Sequence, residues 1–204
     1  VATVRANHWV VQQILAAGVH GVTLCHAQDP AAVREFVRCA RYPHHRQAVD
    51  GGPLDEGLRG NGGQGHASAV WGVSPSEYMR RADVWPLNPE GEVLIGLKLE
   101  DKYCLKNAAE CAAVPGVGYA EWGPGDMGLS LGYPEVHDPP YPAEVEAARQ
   151  TIRKACRDAK IAFLDVMTDA NVDERIAEGV RVVATRSEQA AARGRRLTNR
   201  PQPW

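Results

Sequence analysis

Hydrophobic positions fall along the chain in two alternating rhythms. Short, nearly continuous apolar runs rich in β-branched residues occupy 2–5, 21–25, 93–100, 117–122, 162–166 and 180–184. Runs of this length are the mark of strands covered on both faces. Between most of them, apolar residues recur every three or four positions. That spacing predicts helices over 9–17, 29–41, 102–113, 142–160, 172–178 and 187–196. The punctuation agrees. Gly18 and Gly179 follow two of these segments as helix stops. Asp29-Pro30 supplies an N-cap with proline at the first helical position. The longest segment carries Val145, Ala148, Ile152 and Cys156 on one stripe. Repeated strand–helix units of this kind predict an α/β fold built on a parallel sheet. Residues 42–66 and 132–142 follow neither rhythm and read as long surface loops.

The unit count sharpens the expectation. Six strand–helix units fit in 204 residues, whereas a closed (β/α)8 TIM-type barrel takes about 250. Six parallel strands alone leave two open edges, which proteins normally avoid. We therefore expect a single barrel domain over 1–204 that is N-terminally incomplete, with two leading units outside this sequence.

Composition narrows the function classes. The formal charge is −2, from 25 acidic and 23 basic residues, so the basic excess of a nucleic-acid binder is missing. No apolar run approaches the roughly 18 residues of a membrane span. Five cysteines, an odd number without a close pair, argue against a disulfide scaffold or a cysteine zinc site. A reducing, cytoplasmic setting is expected.

Two acids then stand out. In the strand ending LKLED, alternation places Leu94, Gly96, Lys98 and Glu100 on one face, with Glu100 at the C-terminal end. The next strand, VGYAEW, breaks into Gly123-Pro124-Gly125-Asp126, which puts Asp126 just past its end. Active-site groups of parallel barrels lie at that rim. Two carboxylates on neighbouring strand ends suit one hard cation such as magnesium, which completes its shell with water and ligand oxygens. A salt-bridged Glu100 and a merely turn-forming Asp126 satisfy the same spacing.

The stretches KLED…GYAEWGPGDMGLSLGYP and AAGVHGVTLCHAQDPAAVREFVRCARYP resemble motifs of the HpcH/HpaI aldolases, and the likeness runs on through the last helix. These are class II pyruvate aldolases acting on substrates such as 4-hydroxy-2-oxoheptanedioate and 2-dehydro-3-deoxyglucarate. The resemblance implies aldol cleavage of a 4-hydroxy-2-oxo acid to pyruvate and an aldehyde, and the reverse addition, through a metal-stabilised pyruvate enolate. It assigns the metal to Glu100 and Asp126, with Mg2+ favoured and Mn2+ or Co2+ as alternatives. It assigns the pyruvate carboxylate to backbone amides at Gly125 and Asp126 after the Gly123 turn. Arg5 would stabilise the charge developing on the keto oxygen. It also implies a homo-oligomer, a hexamer in this family, with small molecules as the only other partners: no nucleic acid and no membrane.

Other residues keep two roles open. His26, directly after the strand 21–25, resembles the histidine of macrophomate synthase and could donate to an oxyanion; packing at the rim is the alternative. Lys98 stands where relatives often carry glutamine, either as an internal partner of Glu100 or Glu121, or as a Schiff-base amine. Trp122 would be a wall for the aldehyde or a core residue. Arg59 and His66 are candidates for reaching the second substrate, while His44 and His45 are expected to be solvated. Cys104, Cys111 and Cys156 read as core. Gly60-x-Gly62-x-x-Gly65 matches a dinucleotide fingerprint formally, but neither a leading strand nor a following helix is predicted around it. The family's Asp-x-x-His base pair has no counterpart in this sequence and is expected ahead of Val1. The rival readings are a citrate-lyase-β or malyl-CoA-lyase relative and a non-catalytic barrel remnant.

Overall fold

The computed structural model describes residues 3–4, 7–185 and 187–200. Its elements in chain order are α1 (His8–Ala16), β1 (Gly21–Leu24), α2 (Pro30–Ala40), α3 (Gln64–Trp71), α4 (Pro75–Arg81), β2 (Val84–Trp85), β3 (Val93–Lys98), α5 (Ala108–Ala112), β4 (Val117–Glu121), α6 (Pro124–Leu131), α7 (Ala143–Ala159), β5 (Ala162–Val166), α8 (Val172–Ala177), β6 (Val182–Ala184) and α9 (Glu188–Leu197). Every strand pairing is parallel. The order is β1-β3-β4-β5-β6, with the short β2 paired to the start of β3. The sheet curls into a half-barrel.

Alternation along the strands separates its two faces. Val93, Ile95 and Leu97 of β3, Ala120 of β4 and Phe163 of β5 are buried in the core beneath the helices. Burying each of the larger of these side chains is worth about 1.5–3 kcal/mol. Leu94, Lys98, Tyr119, Glu121 and Leu164, on the opposite face, are only half-buried. On this concave face Tyr119 crosses β3 to place its hydroxyl 2.5 Å from Thr23 Oγ1 on β1. Gly96 makes the crossing feasible: a Cβ there would lie 2.0 Å from Tyr119 Cζ. Helix α7 buries its predicted stripe of Val145, Ala148, Ile152 and Cys156.

The expected elements recur with small shifts in their ends, and the departures have local causes. Residues 3–4 are helical rather than strand, because the Asn7 amide bonds back to the Thr3 and Val4 carbonyls; the rest of the predicted strand 2–5 lies outside the described residues. The helix predicted over 102–113 is interrupted, since Asp101 Oδ1 accepts from the Tyr103 and Cys104 amides and turns the chain. A 3-10 turn (Leu105–Asn107) then leads into α5. The loop predicted over 42–66 ends earlier, at α3. Helix α3 does open from the glycine-rich fingerprint, but no strand leads into it. Helix α4 starts from a cap in which Ser74 Oγ accepts from the Glu77 amide.

Two side-chain expectations are corrected. His45 is buried, not solvated, with Nδ1 3.4 Å from Asp83 Oδ1 in a cluster closed by the bidentate Arg41–Asp83 pair. Arg59 is also buried. Its guanidinium stacks 4.3 Å over the Tyr42 ring and donates to the Tyr78 hydroxyl, which occupies it structurally. Cys104, Cys111 and Cys156 are buried as expected.

Candidate active site at the C-terminal rim

Chain geometry brings Glu100 and Asp126 to one rim. Strand β3 leaves the ladder after Lys98, with the Leu99 amide still bonded to the Glu121 carbonyl at 2.8 Å. Glu100 comes next, only 1% exposed. On the neighbouring strand, β4 ends at Glu121 and the chain turns at Gly123, whose φ of +52° is left-handed. This glycine is required twice over. A Cβ would stand 2.7 Å from Glu100 Oε2 and 2.8 Å from Glu100 Cβ, and the backbone angle itself disfavours other residues. Gly123 therefore serves the site by making room for Glu100. Asp126 lies in the first turn of α6, where the helix N-terminus favours a negative charge.

Lys98 joins the two acids. Its Nζ is 2.6 Å from Glu100 Oε2 and 3.8 Å from Asp126 Oδ2. The shorter contact is a close ion pair that gives the buried Oε2 its charged partner. Oε1 accepts from the His26 amide at 3.2 Å. His26 has a left-handed φ of +51°, uncommon outside glycine, and this aims its amide at Glu100. The His26 ring is largely exposed, with Nδ1 3.7 Å from Glu100 Oε1 and 3.6 Å from Asp101 Oδ2.

The rim is rich in negative charge. Lys98 lies in register with Glu121 across β3 and β4. Burial pushes the Glu121 carboxyl above its ordinary range; Lys98 pulls it back, while Glu100 and Asp126 push it further up. Burial would lower the Lys98 ammonium, but contact with Glu100 and the charges of Glu121 and Glu100 hold it raised. A firmly protonated amine is the wrong form for Schiff-base attack, so the role of internal counter-ion fits Lys98 better. Burial, and after it the charge of Glu100, also raises the Cys25 thiol, which removes it as a ready nucleophile.

Of the other candidates, Trp122 belongs to the core. It is fully buried, donates from Nε1 to Asp165 Oδ1 at 2.7 Å, and meets Tyr141 edge-on. Arg5 lies outside the described residues. His66 is exposed on α3. Gly125 is covered by His137, whose Nδ1 would stand 2.8 Å from a Cβ placed there. Sequence reasoning passed over His137, which sits in an aperiodic loop. Glu121, expected as a possible partner of Lys98, lies beside it in register across β3 and β4.

Among the described residues, no three or more His, Cys, Asp or Glu side chains group to hold a metal ion. The chemistry of the rim nevertheless suits a cation, because two carboxylates converge on one ammonium. Fold and rim together define a parallel α/β protein with an acidic cluster at the C-terminal ends of its strands. The chain belongs to the HpcH/HpaI aldolase/citrate lyase family, whose model matches residues 3–194.

Its relatives are distant. It is 26% identical over 181 residues to a 2-keto-3-deoxy-L-rhamnonate aldolase of Klebsiella pneumoniae, covering 89% of this chain and 60% of the relative. It is 28% identical over 162 residues to a hydroxypyruvate/pyruvate aldolase of Delftia acidovorans, covering 76% and 52%. The chain thus spans 60% or less of the length of these two curated relatives. A family member from Burkholderia cenocepacia shares the fold with a TM-score of 0.70 at 24% identity, over 94% of this chain and 68% of that one.

Proposed function

We propose that this chain carries the cation and 2-oxo-acid site of a (β/α)8-type, divalent-metal-dependent aldolase that cleaves 4-hydroxy-2-oxo acids to pyruvate and an aldehyde. The observation that carries the reading is the convergence of Glu100 and Asp126 on a single protein cation, with Glu100 almost fully buried. The names of the two curated relatives, both aldolases, support the reaction class.

In this reading Glu100 and Asp126 hold the ion, with Mg2+ as the first candidate and Mn2+ or Co2+ as alternatives. When bound, the ion supplies Lewis acidity to the keto oxygen of the 2-oxo acid. The amides of Gly125 and Asp126, in the first turn of α6, receive the substrate carboxylate at the positive end of the helix. The family resemblance would give Arg5 the task of offsetting the charge that develops on that keto oxygen. His26, exposed at the rim, donates a proton from its ring to an oxyanion.

The test is a pyruvate-release assay on 4-hydroxy-2-oxo acids, with and without EDTA. Activity should disappear with the chelator and return with Mg2+ or Mn2+. Glu100→Gln should lower it at least about a thousandfold, on the scale of a lost electrostatic stabiliser. Full activity in EDTA would contradict the proposal. So would a CoA thioester cleaved in preference to the free acid, which favours a citrate-lyase-type reaction.

A further inference from the structure

Lys98 occupies the position that the metal reading needs. Its ammonium stands 2.6 Å from Glu100 Oε2 and 3.8 Å from Asp126 Oδ2, so one protein cation already bridges the two carboxylates. Its side chain is one-quarter exposed, on a flexible stem that can leave. A second seat lies beside it: Glu121 is its register neighbour on β4, on the same concave face. The groups facing Lys98 are thus three carboxylates, Glu100, Glu121 and Asp126, together with the neutral Cys25 thiol. One ammonium neutralises only part of that charge. A divalent ion and the ammonium cannot share the space between Glu100 and Asp126, because like charges a few ångströms apart repel strongly at a half-buried site.

We propose that Lys98 is a tethered counter-cation that holds the Glu100–Asp126 pair closed and must move to Glu121 when a divalent ion enters. This rests on the proposed cation site and adds a property of this chain to it: ion affinity is set by competition with its own lysine. Lys98 offsets part of that charge while the ion is away. Glu121 then receives the displaced ammonium, so the rim does not carry an unpaired lysine next to a metal.

The test is calorimetric titration of the intact protein with Mn2+ in the absence of substrate. Lys98→Gln, which stays polar and removes the charge, should bind Mn2+ at least about tenfold more tightly than the wild type. Lys98→Arg, which keeps the charge, should stay within about threefold. Glu121→Gln should weaken Mn2+ binding in the wild-type background and have a smaller effect alongside Lys98→Gln, because no ammonium then needs a seat. Melting temperatures give a second readout, with a larger gain on adding Mn2+ for Lys98→Gln than for the wild type. Equal or weaker binding by Lys98→Gln overturns the inference and leaves the cation site standing. Absence of Mn2+ binding in both proteins at millimolar concentration overturns the cation site and this inference together.

Discussion

Two charged clusters in this molecule use similar side chains to opposite ends. Beneath the helices, Asp165 on β5 accepts from Trp122 Nε1 at 2.7 Å and from Arg149 Nε at 2.8 Å, and Arg175 Nε lies 3.5 Å away. Arg149 and Arg175 both also donate to Glu178. Glu146 and Glu174, both more exposed, add a further contact to Arg149 and to Arg175, while Arg149 and Asp165 are almost fully buried. At the rim, a single ammonium meets Glu100, Asp126 and Glu121. The buried cluster gives each of its carboxylates a donating guanidinium and ties α7, α8 and β5 together. The rim cluster is under-neutralised and open to solvent. Full pairing around a buried aspartate marks a structural network, and one ammonium among three carboxylates at a strand end is the place proposed for a ligand cation.

The contrast can be broken first at its buried side. Asp165→Asn leaves two buried guanidinium groups facing a neutral amide and should destabilise the protein by about 3–5 kcal/mol in urea unfolding. By comparison, Glu100→Gln removes one of several crowded acids. It should change stability by about 1 kcal/mol or less while ending cation binding. A loss at Glu100 as large as that at Asp165 would erase the distinction between the clusters.

Gly123→Ala should fall between them, at about 1–3 kcal/mol, because it forces a left-handed angle and a collision with Glu100. Its Mn2+ affinity should fall as well, since the collision displaces the carboxylate proposed to hold the ion.

The smallest effect is confined to acid. The Glu178 carboxyl is buried, which would raise it, but Arg149 and Arg175 hold it down to about 2. Its stabilising contribution is complete above the ordinary carboxylate range and is lost as the pH falls through about 2. Unfolding monitored from pH 6 downwards should therefore show a shallower acid loss for Glu178→Gln than for the wild type. An unchanged acid limb would detach Glu178 from the network.

Much of this was legible in the sequence because periodicity reports burial directly. The apolar runs around Ile95, Val117 and Phe163 are strands, and the stripe through Val145 and Ile152 is a helix face. Glu100 and Asp126 could be placed at one rim because alternation and the Gly-Pro-Gly turn fix where a strand ends. Short helices such as α3 and α6 escaped, since eight residues rich in glycine and small side chains carry too little periodic signal. The buried state of His45 and Arg59 was hidden too. Their partners Asp83 and Tyr78 lie tens of residues away, and only the fold brings them together. Trp122 was ambiguous for the same reason: its partner Asp165 sits on the next strand of the sheet.

The most direct test is diffraction from crystals soaked with Mn2+ and pyruvate, collected for manganese anomalous signal. The account predicts one strong peak within coordination distance of both Glu100 and Asp126, with pyruvate oxygens completing the shell and the Lys98 ammonium withdrawn from Glu100. No peak between these carboxylates at saturating Mn2+, with Lys98 still seated on Glu100, would contradict it.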